Sequence, residues 1–205
     1  MRLELIENEP ALILRGRIRY LVVADLHLGL VRFYDEFVVR RIEEIAEKMR
    51  VDEIVILGDL KHRIGYDWRV QKMVENLDFT LVKGNHDGGL KGEREIHIGK
   101  FHLIHGHVKP KEVGKNLIAA HSHPSINLNG LKERVWVFGR WRDSKVLIIP
   151  AFNDMCSSTP VNLRVPAGFL FRDLRDVKFL TLDLVMVGDP TSQSSQQPPS
   201  QFQHP

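Results

Sequence analysis

Asp25 and His27 stand two positions apart at the end of the apolar run in "VVADLHLG", residues 22 to 29. On an extended strand, side chains two apart point the same way, so a carboxylate and an imidazole spaced like this can reach one ion. His121 and His123 repeat the arrangement in "AAHSHP". Other apolar runs end in the same residue types: Gly58-Asp59 in "VILGDL", Gly84-Asn85-His86-Asp87 in "VKGNHDGG", and His105-Gly106-His107 in "LIHGHV". Carboxylate oxygen and imidazole nitrogen suit Mn, Fe, Zn or Ni. The seven candidates Asp25, His27, Asp59, Asn85, His105, His121 and His123 exceed what one ion needs once water and substrate have their places. Two divalent metal ions are therefore expected, with Mn the first choice.

The elements that must carry these residues are legible as alternating patterns. Apolar, β-branched runs occur at "RYLVVAD", "DEIVILGD", "FTLVKGN", "KFHLIHG", "NLIAAHS", "RVWVFGR", "KVLIIPA" and "KFLTLDLVMV", the composition and length of strands. Between the first two, Phe37, Val38, Ile42, Ile45 and Met49 recur at helical spacing over Asp35 to Arg50. A shorter helix is expected near Trp68 to Asn76. Strands alternating with helices point to a layered α/β architecture built on mixed sheets. In open α/β sheets ligands bind beyond the carboxyl ends of the strands, which is where every candidate ligand lies.

Composition sets the outer limits. The 205 residues are 43% hydrophobic and 27% charged, enough for one domain with a sizeable core. A formal charge of +3 and a pI near 9.0 lean toward anionic partners without the dense basic stripe of a dedicated nucleic-acid binder. Cys156 is the only cysteine, which excludes an intrachain disulfide framework and a cysteine-rich zinc site and fits a reducing, cytoplasmic setting. "MRLELIENEP" carries charge throughout and offers no apolar signal core, and no segment approaches the roughly 18 apolar residues of a membrane span. Residues 1–188 are read as the folded domain and 189–205 as a flexible Gln/Ser/Pro-rich tail.

The ordered series Asp-x-His, Gly-Asp, Gly-Asn-His-Asp, His, His-x-His over residues 18 to 125 resembles the calcineurin-like metallophosphoesterase superfamily. "VADLHLG", "GNHDGG" and "LIIPAFN" are most similar to segments of its small SbcD-related and DNA-ligase-associated members. Ala120 stands where that pattern usually has glycine. The resemblance implies a four-layer sandwich of two mixed β-sheets flanked by helices. It also implies that Asp25, His27 and His123 hold one metal, that Asn85, His105 and His121 hold the other, and that Asp59 bridges them. His105 is chosen over His107 because it ends its strand directly.

Two such ions can share a hydroxide and clamp a phosphoryl group for in-line displacement, so the expected activity is hydrolysis of phosphodiesters, with phosphomonoesters also in range. His86 would be the general acid, and Asp87 either orients that imidazole or closes the following Gly88-Gly89 turn. His62, just past the bridging carboxylate, is placed to meet substrate. Nucleotides and nucleic-acid ends are the candidate partners. One alternative is a DNA nuclease of SbcD type acting in repair, for which Arg140, Arg142 and Lys145 with Trp136 and Trp141 would contact a strand unless the tryptophans pack inward. The other is a catalytically weak metal-binding interaction scaffold. Oligomeric state is left open.

Overall fold

The computed structural model describes residues 1–187; the Gln/Ser/Pro-rich stretch 189–205 lies outside the described residues. In chain order the strands are β1 (Arg2–Leu5), β2 (Leu12–Arg15), β3 (Arg19–Val23), β4 (Glu53–Leu57), β5 (Phe79–Val82), β6 (Glu95–Ile98) and β7 (Phe101–Ile104). They continue with β8 (Asn116–Ala119), β9 (Pro124–Leu128), β10 (Leu131–Trp141), β11 (Ser144–Ile148), β12 (Thr159–Pro160), β13 (Arg175–Thr181) and β14 (Met186–Val187). Helix α1 (Arg32–Met49) joins β3 to β4, and α2 (Trp68–Met73) precedes β5.

The strands form two mixed sheets, as expected. The first runs β1-β2-β3-β4-β5, antiparallel up to β3 and parallel from β3 to β5. The second runs β12-β9-β10-β11-β8-β7-β6, with β13 and β14 added at β10. Three apolar layers hold them. Leu21, Val23, Ile54 and Ile56 point to α1 and α2, while their chain neighbours Val22, Val55 and Leu57 point to the second sheet. Both faces of β3 and β4 are thus apolar, the signature of central strands covered on two sides. The second sheet repeats the device: Ile118 and Leu147 face inward, and Leu117, Val146 and Ile148 face out. That outer face is covered by Leu170, Phe169, Phe171 and Leu174 from chain without a helix, so helices supply only one of the two outer layers.

Helix α1 buries Val38, Val39, Ile42 and Ile45. Phe37, expected on this face, is instead half exposed, because the stripe is set by the partners that exist, and β3 and β4 meet the helix along 38, 42 and 45. Arg50 ends α1 in the left-handed region at φ 51°. The N-terminal hairpin β1–β2 and the short strands β6, β9 and β12 had no counterpart in the sequence pattern. Among the described residues, no helix is long and apolar enough to cross a membrane.

Candidate metal centre

The carboxyl ends of β3, β4, β5, β7 and β8 meet at one rim, and the five polar motifs meet with them. Asp25 and His27 are not on an extended strand, as the spacing had implied. Both lie beyond β3 with φ of 55° and 43°, and His121 and His123 lie beyond β8 with φ of 71° and 42°. Equal conformations at alternate residues restore the same-side relation, but by two left-handed kinks rather than by strand pleating. Asp59 shares the kink at φ 49°. Non-glycine residues in this region cost free energy and persist where surrounding bonds enforce them. Here the enforcing bonds include Asp25 N–H to the Gly58 carbonyl at 3.0 Å and His27 N–H to the Asp59 carbonyl at 2.8 Å.

Two glycines are required by proximity. A Cβ at Gly58 would stand 2.0 Å from His105 Nδ1, and one at Gly84 would stand 2.1 Å from Asp59 Oδ1. Their absence of a side chain lets the β4 and β5 ends close onto the site.

Asp59 is at the middle. Its Oδ2 lies 3.7 Å from His27 Nε2, 3.4 Å from His105 Nε2 and 3.9 Å from His86 Nε2, while its Oδ1 accepts the His86 N–H at 2.9 Å. Asp25 Oδ1 lies 3.4 Å from His123 Nε2 and 3.7 Å from His105 Nδ1, and Asp25 Oδ2 accepts the His121 N–H at 3.1 Å. His27 Nε2 and His123 Nε2 are 3.4 Å apart. Asp59, His105 and His121 form one tight group of ligand atoms, and Asp25, His27 and Asp59 another, each within 4.8 Å. Asn85 is exposed and shares a cavity of about 580 Å³ with Gly84, His105 and His107. The geometry separates the two histidines that follow β7: His105 touches Asp59, whereas His107 makes no such contact, its ring centre 5.2 Å from that of His105.

The donor set fits divalent cations. Asp25 Oδ1, His27 Nδ1 and His105 Nε2 are buried with no hydrogen-bond partner among the described residues, an arrangement that native structures rarely leave uncompensated. His105 Nδ1 donates to the Leu57 carbonyl at 3.0 Å and His123 Nδ1 to the Ser157 carbonyl at 2.9 Å, which turns each Nε2 inward as a metal-binding imidazole needs. Burial alone would raise both carboxyls. At Asp25 the imidazoles of His123 and His105 outweigh it, and at Asp59 the bond and charge of His105 do so, so both acids are held below the ordinary carboxylate range. Burial pushes His27 and His121 down to about 4, keeping them neutral. Burial also opposes charge on His123, but Asp25 and the Ser157 carbonyl prevail and raise it to about 9.

That last shift has a measurable sign. Below pH 9 His123 carries a proton on the nitrogen facing Asp25, and an ion binding there must displace it. Metal affinity is therefore expected to climb as pH rises toward about 9, as that proton is given up. Calorimetric titration at pH 7.5 in buffers of differing ionisation enthalpy should register released protons; heats independent of the buffer would contradict this.

Other placements differ from expectation. Asp87 does not orient His86. Its completely buried carboxylate accepts the Gly84 N–H at 2.7 Å and the Lys61 N–H at 3.5 Å, closing the 84–87 turn. The group that holds His86 is the His62 carbonyl, which accepts from His86 Nδ1. His62 itself joins His27 and His86 in a third tight group. Trp136 and Trp141 are buried, so they offer no stacking face to a nucleic-acid strand.

Two further contributors were given no role by the sequence. Lys61 is 2% exposed, and its Nζ donates to the carbonyls of Arg63 at 2.8 Å and His86 at 2.6 Å, tying the loops after β4 and β5 together. The segment after β11 also enters the site. Phe152 N–H reaches the Ala24 carbonyl and Asn153 Nδ2 the Leu26 carbonyl, both at 2.8 Å. The sequence marked "LIIPAFN" by its resemblance, but that Asn153 ties the segment to the backbone after β3 is set by the fold.

The calcineurin-like phosphoesterase family model matches residues 18–149, the span that contains all five motifs. The chain belongs to that family. Among solved structures it is similar to a Pseudomonas putida nuclease, MPE, with a TM-score of 0.65 and 21% identity, covering 90% of this chain and 94% of that one. A phosphoesterase from E. coli, Yfce, gives a TM-score of 0.45 at 15% identity, covering 82% of this chain and 96% of that one. Among curated proteins, none matches the chain significantly in sequence. Family membership and the His/Asp cluster together support a metal-dependent phosphoesterase.

Proposed function

We propose that this chain is a dinuclear metal-dependent phosphodiesterase acting on nucleotides or nucleic-acid ends, with His86 as general acid. One observation carries the reading: Asp59 belongs to two tight groups of ligand atoms, with Asp25 and His27 on one side and His105 and His121 on the other. A buried carboxylate approached from both sides is what two ions sharing a ligand require. Asp25, His27 and His123 would hold one ion, Asn85, His105 and His121 the second, and Asp59 both. Bound there, divalent ions, Mn²⁺ first among them, supply Lewis acidity and positive charge to the phosphoryl group.

The chain's own residues do the rest. Because His86 Nδ1 donates to the His62 carbonyl, it keeps its proton, and Nε2 is the nitrogen turned toward Asp59. A second proton on Nε2 is then available to the leaving alkoxide as the P–O bond breaks. Lys61 and Asp87 hold the two loops that set this ring. Lys83 and Arg94 line the 580 Å³ cavity beside Asn85 and His105, adding positive charge where a phosphate-bearing substrate would enter.

A nuclease reading is favoured by a separate feature. Phe33, Tyr66 and Trp68 are 88%, 79% and 58% exposed. Trp68 shares a cavity with Gly29, two residues past His27, and Ile64 approaches Gly88 in the His86 loop. An exposed ring such as Trp68, sharing that cavity, can stack a base at about 1–3 kcal/mol.

Both readings are tested by reloading metal-free protein with Mn²⁺ and assaying bis-p-nitrophenyl phosphate, single-stranded DNA and duplex DNA. Metal-dependent cleavage of the model diester is expected, and inactivity across the panel with both ions bound would end the phosphodiesterase reading. Trp68→Ala should lower kcat/KM for single-stranded DNA by about tenfold and spare the model diester; equal losses on both would dismiss stacking.

A further inference from the structure

Cys156 is the one sulfur nucleophile of the chain, and the fold brings it to the metal centre from 131 positions away. Its Sγ lies within 4.8 Å of ring nitrogens of His27 and His123 and donates to the Asp25 carbonyl at 3.8 Å. The approach is enforced by bonds on both sides of the thiol. Phe152 and Asn153 are tied to the Ala24 and Leu26 carbonyls, the Ser157 carbonyl accepts from His123 Nδ1, and Thr159 N–H donates to the His123 carbonyl at 2.9 Å. Independently of the sulfur, Asp25 Oδ1, on a residue with no exposed surface, and His27 Nδ1, on a residue 6% exposed, have no hydrogen-bond partner among the described residues. Unpaired groups of this kind cost free energy unless a ligand satisfies them, and Asp25 and His27 belong to the group of ligand residues on the thiol's side of the site.

We propose that Cys156 is a sulfur ligand to the divalent ion on the Asp25, His27 and His123 side, making the two halves of the centre chemically unlike. This rests on the dinuclear reading above. On binding, the metal–sulfur bond forms as the S–H proton leaves to solvent, with no change of oxidation state. The Asp59, His105 and His121 half offers only oxygen and nitrogen. A thiolate strengthens the hold of the first half on Zn²⁺ or Fe²⁺ while leaving its hold on Mn²⁺ little changed, because softer donors favour the former ions.

The test is a Co²⁺ titration of the metal-free full-length protein followed by absorption. Wild type should show visible ligand-field bands together with a near-ultraviolet sulfur-to-cobalt charge-transfer band, while Cys156→Ser and Cys156→Ala should keep the first and lose the second. Zn²⁺ affinity of the thiol-sensitive half should fall by about ten- to a hundredfold in Cys156→Ser, with Mn²⁺ affinity little changed. Ligand-field bands without a charge-transfer band in wild type would overturn the sulfur ligand and leave the metal centre standing. Failure to bind Co²⁺ at all would overturn both.

Discussion

Asp59→Ala is expected to strip both metal ions from the protein together and to reduce phosphodiester turnover by at least about a thousandfold. The reasoning is geometric. Asp59 Oδ2 faces His27 at 3.7 Å and His105 at 3.4 Å, so one carboxylate serves both groups of ligand atoms, and its loss opens both. Lewis-acid stabilisation is worth several kcal/mol, and each ~1.4 kcal/mol of barrier is tenfold in rate, which sets the lower bound. Metal analysis after gel filtration is the direct measurement. Retention of one full equivalent would show that Asp59 belongs to a single site. Asp59→Asn, which keeps the shape and the oxygen accepting the His86 N–H, separates loss of charge from loss of the bond that holds the β5 loop.

His86→Gln should behave in the opposite way, with two ions retained and chemistry impaired. Its ring stands 3.9 Å from Asp59 Oδ2 but is anchored through Nδ1 to the His62 carbonyl, so glutamine can keep the anchor while losing the proton donor. A general acid contributes about 10²- to 10⁴-fold, and that loss is expected on a substrate with an alkoxide leaving group such as DNA. With p-nitrophenolate, which departs readily without a proton, the loss should be much smaller. An equal loss on both substrates would show that His86 acts in binding or folding rather than as the acid.

Much of the site was legible because ligand type is a local property. Asp25-Leu26-His27 and His121-Ser122-His123 announce themselves by spacing, and Gly58 and Gly84 mark the close approaches to His105 and Asp59 that the structure displays. Strand and helix patterns were equally local: the helix expected over 35–50 appears as Arg32–Met49, and the run ending at Asp25 appears as Arg19–Val23. Phe37 shows the limit, since helical spacing marks several candidate stripes and only the opposing sheet selects among them.

The amino-acid order by itself determined which residue types end each strand, the continuous apolar runs of β3 and β4, and hence a layered fold with a polar rim. Tertiary structure alone decided the left-handed kinks at Asp25, His27, Asp59, His121 and His123, the turn-closing use of Asp87, and the inward packing of Trp136 and Trp141. It alone brought Lys61 between two loops and Cys156 to the histidines. The physical reason is range. Periodicity and turn chemistry act over a few residues, whereas these outcomes depend on atoms from segments up to 131 positions apart, whose meeting is set by how two sheets pack.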